Sequence, residues 1–166
     1  CSRSGTCCFG KAVWLNPWEI VCFSKEKKTT TREFRDFYCE FGGIKLRFDG
    51  KQDSKGQQAC SQYKDNIGCS VHLGRPLACR LYPLGRQIQL DNSQYIYQGD
   101  KFPCLNDCAE VLELPKMSVG DYMKGQEAGE FEKAQDEYLI IMQNIADIAF
   151  AFNNSYRTYI LFEQTR

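Results

Sequence analysis

Apolar and polar positions along the chain follow two periods, one near 3.6 residues and one of 2, and these mark out helices and strands. In Leu15-Asn16-Pro17-Trp18-Glu19, Asn16 suits a helix cap, Pro17 the first helical position, and Glu19 the third residue of a capping box. The pattern predicts a helix from there to about Lys25, with Trp18 and Cys22 on one face. Thr31 is expected to cap a second helix that holds Phe34, Phe37 and Tyr38 and stops at Gly42-Gly43. Ile44 to Phe48 alternates as a half-buried strand does, and Asp49-Gly50 marks a turn before the polar loop Lys51 to Gln58. Gln87 to Leu90 and Gln94 to Tyr97 read as a hairpin turning through Asp91-Asn92-Ser93.

Further on, Ser118-Val119-Gly120-Asp121 opens another helix, with aspartate standing where a capping box has glutamate. A long helix is expected from about Gly129 to Phe152, its apolar stripe running through Phe131, Tyr138, Met142, Ile145, Ala149 and Phe152. Such a stripe is expected to be core, and Asn153-Asn154 to end the helix. Tyr156 to Phe162 suits either strand or helix. The elements together predict an α+β fold with helices packed around a small antiparallel sheet. One domain is expected over residues 1–166, with a cysteine-bearing part at 1–110 and a helical part at 111–166.

Composition changes this picture little. Hydrophobic residues make up 43% and charged residues 25%, which excludes disordered and fibrous classes. Lysine plus arginine and aspartate plus glutamate number 21 each, so no net charge draws the chain to nucleic acid, and no nucleic-acid partner is expected. No apolar run reaches the ~20 residues of a membrane span; Tyr138 to Phe152 is interrupted by Asn144 and Asp147. The first residue is Cys1 rather than methionine, so a targeting segment is not assessable.

Cysteine alters the picture most. The chain holds ten cysteines and a single histidine, His72. Cys1, Cys7 and Cys8 form one group, Cys60, Cys69 and Cys79 a second, and Cys104 and Cys108 a third. Five disulfides would use the even count, but they belong to oxidising compartments and to small domains that lack a core. Adjacent cysteines such as Cys7 and Cys8 also rarely bridge each other. Thiolates converging from short loops instead favour zinc or an iron–sulfur cluster. A structural zinc takes four ligands, and a [4Fe–4S] cluster also takes about four cysteines. Cys22 and Cys39, on predicted helices, read first as small buried apolar residues.

The opening Cys1-Ser2-Arg3-Ser4-Gly5-Thr6-Cys7-Cys8 resembles the CxxCxxCC signature of the YkgJ-like cysteine-cluster family, a zinc- or iron-chelating domain related to flagellin lysine N-methylases. Ser4 stands where the signature has cysteine. The stretch Cys69-Ser70-Val71-His72-Leu73-Gly74-Arg75-Pro76-Leu77-Ala78-Cys79-Arg80-Leu81-Tyr82-Pro83 resembles the family pattern C-x-I-Y-x-x-R-P-x-x-C-R-x-F/Y-P, with His72 at the usual tyrosine. Phe102-Pro103-Cys104-Leu105 is similar to a later family element, and the resemblance extends to about residue 140.

The resemblance implies metal ligands at Cys1, Cys7, Cys8, Cys60, Cys69, Cys79 and Cys104. A serine hydroxyl is a poor ligand beside thiolates. Cys108, four residues after Cys104, either replaces the ligand missing at Ser4 or is a plain thiol. Gly5 permits an unusual backbone conformation just before the Cys7-Cys8 pair. Arg75 and Arg80 flank Cys69 and Cys79; they either offset the charge of a bound cofactor through hydrogen bonds to sulfur or make ordinary polar contacts. His72 is read as a packing or hydrogen-bonding residue ahead of a ligand.

No glycine-rich phosphate loop and no cofactor-binding glycine motif appears, and a lone histidine inside a cysteine block does not suit a hydrolase, so no catalytic residue is nominated. The expected cofactor is a [4Fe–4S] cluster serving electron transfer, sensing or assembly with a protein partner, in a reducing cytoplasmic or organellar compartment. The alternatives are a zinc-stabilised binding module and an enzyme resembling the lysine N-methylases.

Overall fold

A computed structural model describes residues 5–89, 92–97 and 116–163. Cys1, Ser4, Cys104 and Cys108 lie outside the described residues, as do Leu90 and Asp91.

Local sequence accounts for most element starts. α1 spans Pro17–Lys27, and its capping box is complete: the Asn16 side chain accepts from the Glu19 N–H while the Glu19 carboxylate accepts from the Asn16 N–H. α2 spans Thr31–Tyr38 and is capped by Thr30, one residue earlier than expected. The reason is Glu33, which lies three residues after Thr30 and returns the hydrogen bond to its N–H; nothing equivalent follows Thr31. α2 also ends at Tyr38, before the glycine pair, because Cys39–Glu40 leaves as β1 and pairs antiparallel with β2, Lys45–Leu46. Gly42 and Gly43 serve the turn between them, both with positive φ.

β3 (Tyr63–Lys64) pairs with β4 (Gly68–Cys69), and α3 (Leu77–Leu81) follows. β5 (Leu84–Gln89) and β6 (Asn92–Tyr97) form the expected hairpin, with three more residues at its start than the alternation indicates. α4 spans Val119–Gly125 with the Ser118 cap in place, and α5 runs from Gly129 to Glu163. The fold is α+β; among the described residues its strands form three two-stranded antiparallel pairs rather than one sheet.

Two apolar clusters hold these elements. One gathers Ile20 and Phe23 of α1, Phe34 of α2, Leu46 of β2, and Val13, Leu15 and Val71, with the Phe23 and Phe34 rings stacked at 5.1 Å. Cys39 is buried in this cluster, as a small apolar residue would be. The second joins Leu77 and Leu81 of α3 to Met123, Ala128 and Phe131 at the α4–α5 elbow, with Cys22 packed against it. The hairpin is fastened to α5 by a bidentate pair from Arg86 to Asp136 at 2.8 and 2.9 Å and by the Tyr95 hydroxyl donating to Glu132.

α5 departs from expectation twice. Asn153-Asn154 does not end it, since asparagine costs only a few tenths of a kcal/mol in a helix and no glycine or proline follows. Of its stripe only Phe131 is buried core; from Leu139 to Phe152 the apolar side chains are exposed. The period shows that a face is apolar, but not whether the chain folds anything onto it. No helix among the described residues is long and apolar enough to cross a membrane.

Candidate metal centre

The short 3₁₀ turn Thr6–Cys8 carries the adjacent cysteines. It is set by Gly5, whose φ of 80° is left-handed and whose carbonyl accepts from the Cys8 N–H at 2.8 Å. A Cβ at Gly5 would meet the Tyr63 ring at 2.2 Å, so only glycine lets this turn lie against β3. The next residues pair with the segment before β3: Cys60 N–H donates to the Cys8 carbonyl at 2.8 Å, and Phe9 bridges Ala59. Register then places Tyr63 opposite Cys69. Cys79 is brought in by α3, whose first N–H, that of Leu77, donates to the buried Glu19 carboxylate at 2.7 Å. The Lys11 ammonium lies 3.5 Å over the Tyr82 ring and so joins the Cys7-Cys8 segment to the end of α3.

These links join the segments that carry Cys7-Cys8, Cys60, Cys69 and Cys79. The Cys8 thiol donates to Cys7, which holds Cys7 well below the usual thiol range, with Lys11 acting in the same direction. Cys8 is pushed up by that hydrogen bond, by burial, and by Cys7, Cys60 and Cys69. Burial raises Cys60 to about 11, with Cys69 adding to the effect. Crowding by protein atoms raises Cys79 too, joined by Cys60, Cys7 and Cys69; as Cys79 is exposed, water offsets part of that rise. The Cys60 sulfur also accepts from the Gln62 N–H at 3.5 Å, a contact that favours thiolate.

Among the described residues no group of three or more His, Cys, Asp or Glu is placed so as to hold a metal ion. The fit to metal is therefore one of donor chemistry: five soft sulfur donors on segments stitched together by backbone hydrogen bonds. A bound cation would displace the proton between Cys8 and Cys7 and ionise the raised thiols. None of the seven described cysteines is in a disulfide.

Of the ligands implied by resemblance, Cys7, Cys8, Cys60, Cys69 and Cys79 lie on segments that the fold joins through the Cys60–Cys8 backbone bond, the Tyr63–Cys69 pairing and the Lys11–Tyr82 contact, while Cys1, Cys104 and Cys108 lie outside the described residues. The two arginines turn elsewhere. Arg80 is buried and donates to the carbonyls of Arg75, Gln126 and Leu73, and its guanidinium lies 3.9 Å over the Phe131 ring. Arg75 donates to the His72 carbonyl and ring and to the Gln126 side chain. These hydrogen bonds go to oxygen and nitrogen, the ordinary polar contacts that were one of the two expectations for these arginines. The reason is helical geometry: Arg80 follows Cys79 by one position and points about 100° away around the axis. Arginine has no acceptor, so His72 Nδ1 accepts from Arg75, a hydrogen-bonding role of the kind expected for this residue.

Sequence alone missed Lys11, Gln62 and Tyr63. Only the glycine at position 5 hints at a close neighbour, and it does not say which.

The model of one protein family matches residues 1–101, the CxxCxxCC family, described as "Putative zinc- or iron-chelating domain". No curated protein and no solved structure gave a match. The match takes in both cysteine blocks and these five cysteines, and it covers well over half of the 166 residues; the chain belongs to the CxxCxxCC family of zinc- or iron-chelating domains.

Proposed function

We propose that the chain holds a [4Fe–4S] cluster on Cys7, Cys8, Cys60, Cys69 and Cys79, with Cys1, Cys104 and Cys108 as further candidates, in a redox, sensing or assembly role. The observation that supports this reading is that five cysteines stand on segments joined by the Cys60 N–H to Cys8 carbonyl bond, the Tyr63–Cys69 pairing and the Lys11–Tyr82 contact; soft thiolates suit an iron–sulfur cluster, and five leave one beyond the four that a single [4Fe–4S] cluster or a single zinc takes. A bound cluster supplies one-electron chemistry or a labile iron–sulfur unit. The chain's own residues supply the donors, the Cys7-Cys8 proton that leaves on binding, and Lys11 as a nearby compensating cation.

Zinc is the second reading: the Cys60 turn, with an N–H aimed at sulfur, suits a structural zinc site as well as a cluster. An anaerobic preparation decides between them. A brown protein with absorbance near about 400 nm and iron matched by acid-labile sulfide supports the cluster. A colourless protein with stoichiometric zinc overturns it.

A further inference from the structure

Gln62 follows closely after Cys60 and is buried, only 1% exposed. Its neighbourhood is apolar: Cys60 and Cys69 both pack against the first core cluster. A neutral amide in such a place costs free energy unless both of its ends find partners, and an apolar side chain of similar size serves better where packing is the only need. Gln62 has both partners. The Lys27 ammonium meets one end at 3.2 Å, and the other end meets the Ser61 hydroxyl at 3.1 Å. An ammonium has only donors, so the end beside Lys27 is the carbonyl oxygen and the amide nitrogen faces Ser61.

Ser61 passes the pattern on. Its oxygen accepts from Gln62, and its one hydroxyl proton is directed at the Cys60 sulfur, to which it is hydrogen-bonded. The Gln62 backbone N–H meets the same sulfur at 3.5 Å. A chain of donors therefore runs from Lys27, in the last turn of α1, through Gln62 and Ser61 to Cys60, every group donating in the same sense. Hydrogen bonds in series polarise one another, so the charge at Lys27 strengthens the final donor. The Tyr38 ring, 4.8 Å from the ammonium, holds that charge in place. A ligating sulfur is an anion, which burial disfavours and donors aimed at it favour.

Resting on the metal reading of Cys60, we infer that Lys27, Gln62 and Ser61 are positioning residues of the centre, a hydrogen-bond relay that carries positive charge from α1 to the Cys60 sulfur and stabilises the anion that ligates metal.

Zinc(II) binding to the full chain under reductant, measured by competition with a chromogenic chelator at neutral pH, tests this; thiolates that hold a cluster also take zinc. Ser61→Ala is expected to weaken binding about tenfold to a hundredfold, the loss typical when a partner of a ligand is removed. Ser61→Thr keeps the hydroxyl and should bind as the wild type does. Lys27→Met keeps the stem without the charge and should weaken binding less, since it acts through Gln62 and Ser61. Added to Ser61→Ala, it should cost nothing further, because the link it acts through is gone. Circular dichroism of the metal-free proteins should match, as Ser61 and Lys27 are only partly buried. Unchanged affinity in Ser61→Ala, equal losses in Ser61→Thr and Ser61→Ala, or additive losses in the double variant each overturn the relay. The metal reading fails differently. A wild type that takes up no zinc, or a Cys60→Ser variant that binds as tightly as the wild type, removes Cys60 from the ligand set and the relay with it.

Discussion

Replacing Arg80 by lysine separates two readings of this residue. As a structural staple, its guanidinium donates to the carbonyls of Arg75 and Gln126 at 2.9 and 2.7 Å and to that of Leu73, and it stacks on Phe131. These contacts tie α3, which carries Cys79, to the α4–α5 elbow. Lysine keeps the charge but has one nitrogen and no planar fork, so it satisfies at most one of the three directions. Two charge-assisted hydrogen bonds at about 1.5 kcal/mol each and a desolvated cation–π contact of about 1–2 kcal/mol give an expected loss of about 4 kcal/mol. For a chain of this size that lowers the melting temperature by about 8–16 °C. Urea unfolding of the metal-free protein under reductant, followed by circular dichroism, measures the loss directly. A loss below about 1 kcal/mol refutes the staple. An unchanged metal-free stability combined with a shifted potential or spectrum of the loaded protein would instead put Arg80 at the cofactor.

Gly5→Ala forces a Cβ into the Tyr63 ring at a left-handed φ, and should cost about 2 kcal/mol and reduce bound metal; unchanged melting and metal content would contradict the turn's role. Cys7→Ser and Cys79→Ser should each lower metal content and stability together, read by metal analysis and thermal melting, and full metal in both would remove them from the ligand set. Loading should release protons and weaken in acid, because Cys8 binds a proton that metal must displace; proton release measured in weak buffer that is zero at neutral pH would count against thiolate ligation. Burial raises both Cys39 and Cys60 to about 11 from an ordinary 9.0. As pH rises the unfolded thiols ionise first while the native ones keep their protons, so metal-free stability should hold below pH 9 and fall between 9 and 11. A flat urea midpoint across that window would show that these thiols are not protected.

The sequence by itself determined what depends on near neighbours. The Asn16–Glu19 box, the Ser118 cap and the hairpin are each closed by residues a few positions apart, so their chemistry is visible in order. Even the Thr30 cap was legible, through Glu33 three residues on. The two cysteine blocks likewise showed the family and its donor type. Tertiary structure decided which cysteine-bearing segments are neighbours, because that follows from the Cys8–Cys60 pairing, the Leu77–Glu19 bond and the Lys11–Tyr82 contact, all between segments distant in sequence. It also decided that Arg80, next to a cysteine in the chain, serves the α4–α5 elbow, since one step along a helix turns a side chain by about 100°. And it left the α5 stripe exposed from Leu139 to Phe152, because an apolar period states that a face avoids water but not which surface covers it.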